Sequence, residues 1–349
     1  MTASPENIAA PLLAWYDRHA RDLPWRSRQG EAPPEPYRVW LSEVMLQQTT
    51  VAAVKPYFAK FVERWPTAAD LAAAEEADVM AAWAGLGYYS RARNLVKCAG
   101  AVAERGGFPD TEQELRTLPG LGAYTAAAVA AIAFGRRAVV VDANVERVVS
   151  RLFAIEQPLP SSRPTIRELA DTITPSERAG DFAQAMMDLG SGICTSREPK
   201  CLLCPLSDQC AAKAVGDPAR FPLKTPKKPK PLRQGTAFWI AGGPMTGDKI
   251  WLIRREPNGM LGGMRALPDD GWSVKADGSG EPPLPGEWRN CGTVSHVFTH
   301  FALSLRVLSY TKTPLAPLGE GEWWPINAIE EAGLPTLFVK AARLVRSQS

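Results

Sequence analysis

The chain has 349 residues, of which 45% are hydrophobic and 22% charged, and its formal net charge is +3. It is long enough for two domains of usual size, and its six cysteines are too few for a secreted scaffold held by disulfides. The N-terminus lacks a basic start followed by an apolar stretch, and no apolar run is long enough to span a bilayer. Composition therefore predicts a soluble, intracellular protein with no membrane partner.

A helix is the first element that carries a candidate site. Residues 39–51, VWLSEVMLQQTTV, lie in an alanine-rich half of the chain, up to about residue 215, which is predicted to be mainly α. One example of the helical spacing in this half is the series Tyr37, Trp40, Leu41, Val44, Gln48 and Val51. Glu43 lies one step off that stripe, so it can face a cleft; the alternative is a solvated helix carboxylate.

Residues 118–135, LPGLGAYTAAAVAAIAFG, predict two helices joined by a tight turn. Pro119, Gly120 and Gly122 form the turn, and glycines let backbone N–H groups approach an anion at the start of the following helix. This is the pattern of a helix-hairpin-helix motif, which binds DNA phosphates without reading the base sequence. A plain connection between two helices is the alternative for the turn taken alone.

The segment VVVDANVERVV follows the hairpin and predicts an apolar run that ends at Asp142. A helix is expected to begin near Val145. On the residues alone, Asp142 or Asn144 is then a helix N-cap, a structural role worth roughly 1 kcal/mol.

Four of the six cysteines lie within residues 194–210, CTSREPKCLLCPLSDQC, at the spacing C-x6-C-x2-C-x5-C. Four thiolates on one compact loop can hold a tetrahedral zinc ion or an iron–sulfur cluster, and the spacing alone does not select the metal. A single CxxC pair flanked by lone cysteines, with no histidine nearby, favours iron–sulfur over a zinc knuckle. The predicted ligands are Cys194, Cys201, Cys204 and Cys210.

Residues 216–235, GDPARFPLKTPKKPKPLRQG, predict a semi-rigid basic linker, since prolines alternate with lysines and arginines. Its cations can follow a phosphate backbone, or they can be a solvated tether. Short β-like runs follow, TAFWIAG, KIWLIRR, THFALSLRVLSY and EWWPI, and then a C-terminal helix, LFVKAARLVRSQ. The predicted domains are 1–215, mainly α, and 236–349, a smaller α+β domain.

The cysteine loop resembles that of the endonuclease III branch of helix-hairpin-helix DNA glycosylases, which hold a [4Fe-4S] cluster. Three more segments match one family of that superfamily closely: 39–51, WAGLGYYSRARNL at 83–95, and FAQAMMDLG at 182–190. Together they resemble the MutY family of adenine DNA glycosylases over nearly the whole chain. The C-terminal half resembles the MutT-like (Nudix-like) domain of that family, and it lacks the RExxEE box that a Nudix hydrolase needs for magnesium.

The resemblance implies a set of catalytic residues. Glu43 matches the acid that protonates the departing adenine, and Asp142 matches the carboxylate that stabilises the oxocarbenium-like sugar, with Asn144 supporting it. Tyr124 matches a hydroxyl beside the reacting centre and stands where strand-cutting relatives carry a Schiff-base lysine. The second lysine position of the superfamily is Glu146, so base removal without strand cleavage is expected.

Binding residues follow from the same resemblance. The adenine pocket is expected to contain Trp25, Arg26, Leu46 and Gln184, and Gln48 and Tyr88 are expected to enter the duplex beside the orphaned base. Phe298, Thr299 and His300 match the Phe-Ser-His hairpin that reads 8-oxoguanine, and Gly120 and Gly122 are the expected contacts to the DNA backbone. The chain departs from the family in a longer 27–36 stretch, which affects the placing of Arg26, and in threonine for serine at 299.

The resemblance thus implies a monomeric, cytoplasmic enzyme that acts at the bacterial nucleoid on double-stranded DNA with 8-oxoguanine:adenine or guanine:adenine mispairs. An endonuclease III-like lyase for oxidised pyrimidines is the main alternative, opposed by Tyr124 and by the second domain. A nucleotide pyrophosphohydrolase is opposed by the missing metal box. A non-catalytic iron–sulfur DNA-binding protein would need Glu43 and Asp142 to be idle.

Overall fold

The structure is a computed structural model that describes residues 5–27, 30–226, 229–242, 248–256, 260–310, 312 and 318–348. It divides into two compact units, residues 1–226 and residues 227–349. Within the described residues, no helix is both long enough and apolar enough to cross a bilayer.

The first unit is helical, as its periodicity predicts. Its helices are α1 (Pro5–His19), α2 (Pro36–Leu46), α3 (Val51–Arg64), α4 (Ala68–Ala72), α5 (Glu76–Trp83), α6 (Tyr89–Arg105), α7 (Glu112–Leu115), α8 (Ala123–Phe134), α9 (Ala143–Leu152), α10 (Arg163–Ile173), α11 (Ala179–Gly192) and α12 (Ala211–Val215). Helix α8 lies in the middle of the core and packs against α2, α7 and α11. Its residues 126–131 are all buried, and five of these six are alanines, whose small side chains let neighbouring helices approach closely.

The predicted hairpin consists of α7, a turn and α8. Gly120 has φ +78°, in the left-handed region that favours glycine. A Cβ atom at this position would stand 2.8 Å from the Cβ of Asn94, so the turn also needs glycine for space. Gly122 is the N-cap of α8, with extended backbone.

The second unit contains two small sheets and a C-terminal helix. Its strands are β1 (Leu232–Trp239), β2 (Lys249–Arg254), β3 (Arg265–Ala266), β4 (Trp288–Val297), β5 (Ala302–Tyr310) and β6 (Glu322–Pro325). One sheet has the order β1-β5-β4, with β1 parallel and β4 antiparallel to β5, and the other has the order β3-β2-β6. Helix α13 (Thr336–Arg346) packs against β1, β4 and β5 and closes the core.

Strands β1, β2, β5 and β6 and helix α13 coincide with the predicted runs, whereas β3 and β4 were not predicted. Strand β4 has the sequence WRNCGTVSHV, and a bulge between Asn290 and Gly292 interrupts its register with β5. Because the bulge breaks the alternation of side chains, the segment lacks the pattern of a half-buried strand.

The segment 216–235, predicted as a linker, is divided between the two units. Its first part packs on the helical unit: the Arg151 guanidinium donates to the Phe221 carbonyl at 3.0 Å, and the Leu159 amide donates to the Leu223 carbonyl at 2.8 Å. Its last part begins β1 at Leu232. Residues 227 and 228, within the same segment, lie outside the described residues.

Candidate active site

A cavity of about 500 Å³ opens in the helical unit. Its walls come from the segment after α1, the C-terminal end of α2 and the turn that follows it, α8, the start of α9, and α11. Nine residues that the sequence assigns to catalysis or base binding line it: Trp25, Arg26, Glu43, Leu46, Gln48, Tyr124, Asp142, Asn144 and Gln184. The volume lies within the range of small-molecule sites and is large enough to admit one nucleobase.

Glu43 is a buried carboxyl group on this wall, with 6% of its surface exposed. The Tyr124 hydroxyl donates a hydrogen bond of 2.6 Å to its Oε2 atom. Burial raises the pKa of Glu43, and the negative charge of Asp142 acts in the same direction, whereas the Tyr124 hydrogen bond and the Arg26 charge oppose the rise. A carboxyl group in this setting holds its proton more readily than one in water, which suits a general acid.

Asp142 is the N-cap of α9, one of the two N-cap candidates named from the sequence, and the helix begins at Ala143, close to the expected Val145. Its Oδ1 atom accepts a hydrogen bond of 2.7 Å from the Val145 amide, and its Oδ2 atom accepts one of 2.8 Å from the Asn144 side chain. The Asp142 carboxylate thereby satisfies a free amide of the first turn of the helix. The cap and the Asn144 bond fix a carboxylate that also borders the cavity.

Arg147 connects this carboxylate to the cysteine loop. Its guanidinium donates to Asn144 Oδ1 at 2.9 Å, to the Gly190 carbonyl at 2.6 Å and to the Cys194 carbonyl at 2.7 Å. A Cβ atom at Gly190 would stand 2.6 Å from the Asn144 Cβ, so only glycine permits this approach of α11 to α9. The supporting contacts of Asp142 therefore extend to the start of the cysteine loop.

The two expected wedge residues share an uncommon backbone conformation. Gln48 has φ +58° and Tyr88 has φ +50°, and both side chains are exposed. Arg91 joins their segments, because its guanidinium donates to the carbonyls of Val44, at 2.9 Å, and Leu86, at 3.3 Å, and stacks 5.2 Å from the Tyr88 ring. Non-glycine residues in the left-handed region often mark functional sites. Gln48 lines the cavity, and Tyr88 does not.

Gly120 and Gly122 lie outside the cavity. Both are exposed, at the end of the hairpin turn and at the N-terminus of α8, so backbone amides there are accessible to an anion.

The four clustered cysteines border a second cavity, which they share with Arg151. Within the part of the chain that the structure describes, no three ligating side chains converge closely enough to hold a single metal ion. Hydrogen-bond donors surround the sulfurs: Arg151 Nη1 lies 3.2 Å from the Cys194 sulfur, and backbone amides donate to Cys204 and Cys210. Half-buried cysteine sulfurs that receive such donors fit the ligand set of a metal cluster.

The predicted lesion-reading hairpin, Phe298, Thr299 and His300, belongs to the second unit. Phe298 stacks on Phe301 with ring centroids 4.8 Å apart, and Lys230 Nζ donates to the Phe298 carbonyl at 2.6 Å. Thr299 and His300 are exposed at the turn. The aromatic contact anchors the hairpin and leaves its two polar side chains accessible.

Four charged residues of the site were not predicted from the sequence, namely Arg21, Arg91, Arg147 and Asp188. Arg21 lines the cavity, and Asp188 binds both Arg21 and Arg26. For Asp188 a signal existed: it follows Gln184 by four residues on α11, so both side chains lie on one helix face. The arginines carried no comparable signal, since arginine is common on helix surfaces.

Two known families match the chain. Residues 41–175 match the HhH-GPD superfamily of base excision DNA repair proteins, and residues 242–344 match the NUDIX domain. A thermostable thymine-DNA glycosylase superimposes with a TM-score of 0.55 at 31% identity, covering 60% of this chain and 97% of that one. A trapped endonuclease III–DNA covalent intermediate superimposes with a TM-score of 0.51 at 25% identity, covering 62% and 99%. Fold and site thus define a helix-hairpin-helix DNA N-glycosylase of base excision repair followed by a Nudix-like domain, as predicted.

The curated relatives specify the branch of this class. The human adenine DNA glycosylase is 34% identical over 97% of this chain and 73% of its own length, and the rat enzyme is 36% identical over 95% and 77%. The enzyme of Mycolicibacterium smegmatis is 44% identical over 60% of this chain and 70% of its own length. The chain belongs to the adenine DNA glycosylase family, which confirms the family predicted from its motifs.

Proposed function

We propose that this enzyme removes adenine mispaired with 8-oxoguanine or guanine in double-stranded DNA and leaves an intact strand with an abasic site. The observation that carries the proposal is the buried Glu43 carboxyl group, bonded to Tyr124 and lining the same cavity as Asp142. The adenine specificity of its named relatives supports the choice of base. We further propose that it acts as a monomer in the cytoplasm, at the nucleoid.

The proposed reaction needs both carboxyl groups in different protonation states. Glu43 gives its proton to a ring nitrogen of adenine while the N-glycosidic bond breaks, and the bonding electrons leave with the base, which departs neutral. Asp142 stays ionised and stabilises the positive charge that develops on the sugar. Water then adds its hydroxyl to the sugar, and its proton restores Glu43. The Asn144 and Val145 donors keep the Asp142 carboxylate in place throughout.

Strand cleavage through a Schiff base requires an amine at the sugar. Tyr124 occupies one superfamily position for that amine, and its hydroxyl is bonded to Glu43. Glu146 occupies the other and forms an ion pair with Arg163 at 2.7 Å. Neither side chain can form an imine, which supports base removal without lyase chemistry.

Adenine must leave the stack to reach Glu43. In the proposal the flipped base enters between Trp25, Leu46 and Gln184, which line the cavity, and Gln48 and Tyr88 occupy the duplex beside the orphaned base. Thr299 and His300 of the second unit read the oxidised guanine.

We propose that Cys194, Cys201, Cys204 and Cys210 hold one [4Fe-4S] cluster. When bound, the cluster supplies folding energy to its loop and no group to the base-removal step. Arg197 and Lys200, on the same loop, are then placed to meet DNA phosphates.

The proposal is tested by base release under single-turnover conditions. The substrates are matched duplexes with adenine opposite 8-oxoguanine, guanine, cytosine or thymine, and one duplex with an oxidised pyrimidine. We expect free adenine from the first two duplexes, with strand breaks only after alkali. Release of the oxidised pyrimidine, with borohydride trapping of the protein on DNA, would instead establish the lyase.

A further inference from the structure

One buried carboxylate next to the cavity has no part in the reaction described above. Asp188 lies on α11, and its side chain is 2% exposed. Arg26 binds it through both terminal nitrogens, with Nη1 2.7 Å from Oδ2 and Nη2 2.9 Å from Oδ1. Arg21 binds it through Nε, 2.6 Å from Oδ1, and through its backbone amide, 3.2 Å from Oδ2. One carboxylate therefore orients two guanidinium groups.

Both arginines reach the cavity from this anchor. Arg21 and Arg26 line its wall together with Gln184, which lies one helical turn before Asp188. The Arg26 side chain is only 8% exposed, so it has little access to solvent that could neutralise its charge. A planar guanidinium held at two points keeps a fixed direction for its remaining N–H groups.

The charge of Arg26 acts on Glu43. The charged and titratable groups that act on Glu43 are Tyr124 on α8, Asp142 before α9 and Arg26 after α1. Those that act on Arg26 are Asp188, Tyr16 on α1 and Glu43 itself. Arg26 is thus the cation that favours loss of the Glu43 proton, and Asp188 is the anion bonded to that cation.

We propose that Asp188 is a positioning residue of the base pocket, whose carboxylate fixes Arg21 and Arg26 at the wall and offsets their charge, so that Glu43 retains the proton it delivers to the base. With Asp142 ionised and Glu43 protonated, two arginines and two carboxylates sum to zero charge around the base. Without Asp188 the same pocket carries one net positive charge, which favours ionised Glu43. The inference rests on the proposed function, in which Glu43 is the acid.

The test is the pH dependence of single-turnover adenine release. A general acid is active while protonated, so the rate falls as the pH rises through the pKa of Glu43. Asp188→Asn should move this alkaline limb to lower pH by on the order of half a pH unit or more, while Asp188→Glu, which keeps the charge, should restore it. Arg26→Met removes the cation and should move the limb to higher pH.

The matched control is Asp181→Asn, which removes a carboxylate from the same helix. Asp181 bonds to Arg178, at 2.8 Å, and does not line the cavity. The alkaline limb of the Asp181→Asn pH profile should coincide with that of the wild type. A purely structural ion pair, which only holds the segment after α1 against α11, predicts a lower rate in Asp188→Asn with an unmoved alkaline limb. That result would overturn the inference.

Two further measurements keep the inference testable. If Asp188→Asn does not fold, an unmoved or lowered limb in Arg26→Met overturns the inference. The carboxyl ¹³C resonance of Glu43, assigned by its loss in Glu43→Gln, can be titrated in the protein without DNA. A shift to lower pH in Asp188→Asn supports the charge relation even if the wild type releases no adenine, an outcome that would overturn only the proposed function.

Discussion

Opposing influences act on the Glu43 carboxyl group. Burial and the Asp142 charge favour its protonated form, while the Tyr124 hydroxyl and the Arg26 charge favour its ionised form. A fully desolvated acid would hold its proton too tightly to deliver it, and a solvated one would have lost it at neutral pH. The hydrogen bond from Tyr124 is therefore part of how the acid is tuned, in addition to any contact with the sugar.

Replacing Tyr124 with phenylalanine tests this tuning. Loss of the 2.6 Å bond removes an interaction with the ionised carboxylate, so the pKa of Glu43 should rise further. Because the acid then stays protonated to higher pH, the alkaline limb of the single-turnover profile should move to higher pH. Tyr37→Phe is the control, since that hydroxyl donates to the Trp65 carbonyl at 2.8 Å, away from the cavity. An unmoved alkaline limb in Tyr124→Phe would show that the Tyr124 hydrogen bond does not tune the pKa of Glu43.

At the scale of elements, the helical unit positions its site mainly through helix ends. Asp142 is the N-cap of α9, Gly122 is the N-cap of α8, and Glu43 lies in the last turn of α2. Helix N-termini leave backbone amides without partners, so a carboxylate such as that of Asp142, or a phosphate, is favourably bound there. The hairpin turn and the reacting centre thus use the same physical feature for different purposes.

Gly120→Ala tests the hairpin. The left-handed backbone and the 2.8 Å approach to Asn94 both exclude a Cβ atom, so the free energy of unfolding should fall by about 1–3 kcal/mol. DNA affinity should fall as well, because the turn must rearrange. Gly100→Ala is the matched control: it lies within α6 with open space around its Cβ position, and alanine there should stabilise by about 0.5–1 kcal/mol. Denaturant unfolding measures the stability, and titration with an abasic-site duplex measures the DNA affinity. A Gly120→Ala variant as stable as the wild type would contradict the turn geometry.

Local patterns could be predicted from the sequence, and contacts between distant segments could not. Glu43, Tyr124 and Asp142 carry motif signals, and the structure brings them to one cavity. The bond from Arg147 to the Gly190 carbonyl and that from Arg26 to Asp188 each join residues far apart in the chain. Such pairings depend on how helices pack, and the 3.6-residue period carries no information about which helices pack together. Strand β4 was missed for a local reason, since its bulge breaks the alternation that identifies strands.

At the scale of the whole molecule, the chain contains a helical unit, which includes the cysteine loop, and a Nudix-like unit. Within the helical unit, Arg151 connects the cysteine loop to the C-terminal segment of the unit. Its guanidinium donates to the Thr195 carbonyl at 2.7 Å and to the Phe221 carbonyl at 3.0 Å. Loss of the cluster should therefore loosen the chain at the exit from the helical unit as well as the loop itself.

Metal analysis tests the cluster. We expect a brown protein with about four irons per chain, as in a [4Fe-4S] protein. Cys204→Ser should lose iron and colour and unfold more readily, whereas Cys98→Ser should keep both, because the Cys98 thiol is buried in the core and does not border the cysteine cavity. Stoichiometric zinc without iron would contradict the cluster.

The lesion preference tests the second unit. Thr299→Val with His300→Ala removes two exposed polar groups and leaves the Phe298 stack in place. The preference for 8-oxoguanine over guanine opposite adenine should shrink by roughly 1–3 kcal/mol, the scale of one base-specific contact, while release opposite guanine is unchanged. Val297→Ala, at the exposed end of β4, is the control. If the double variant kept the full preference for 8-oxoguanine over guanine, recognition of the lesion would instead belong to Gln48 and Tyr88.

Base removal in the proposed reaction depends on protonation of the leaving base by Glu43. The most direct test compares single-turnover adenine release from an 8-oxoguanine:adenine duplex by the wild type and by Glu43→Gln, which keeps the shape and hydrogen-bonding capacity of the side chain but has no proton to deliver. We predict a fall of at least about 10²-fold with duplex affinity retained. Release by Glu43→Gln within a few-fold of the wild-type rate would show that Glu43 is not the acid of the reaction.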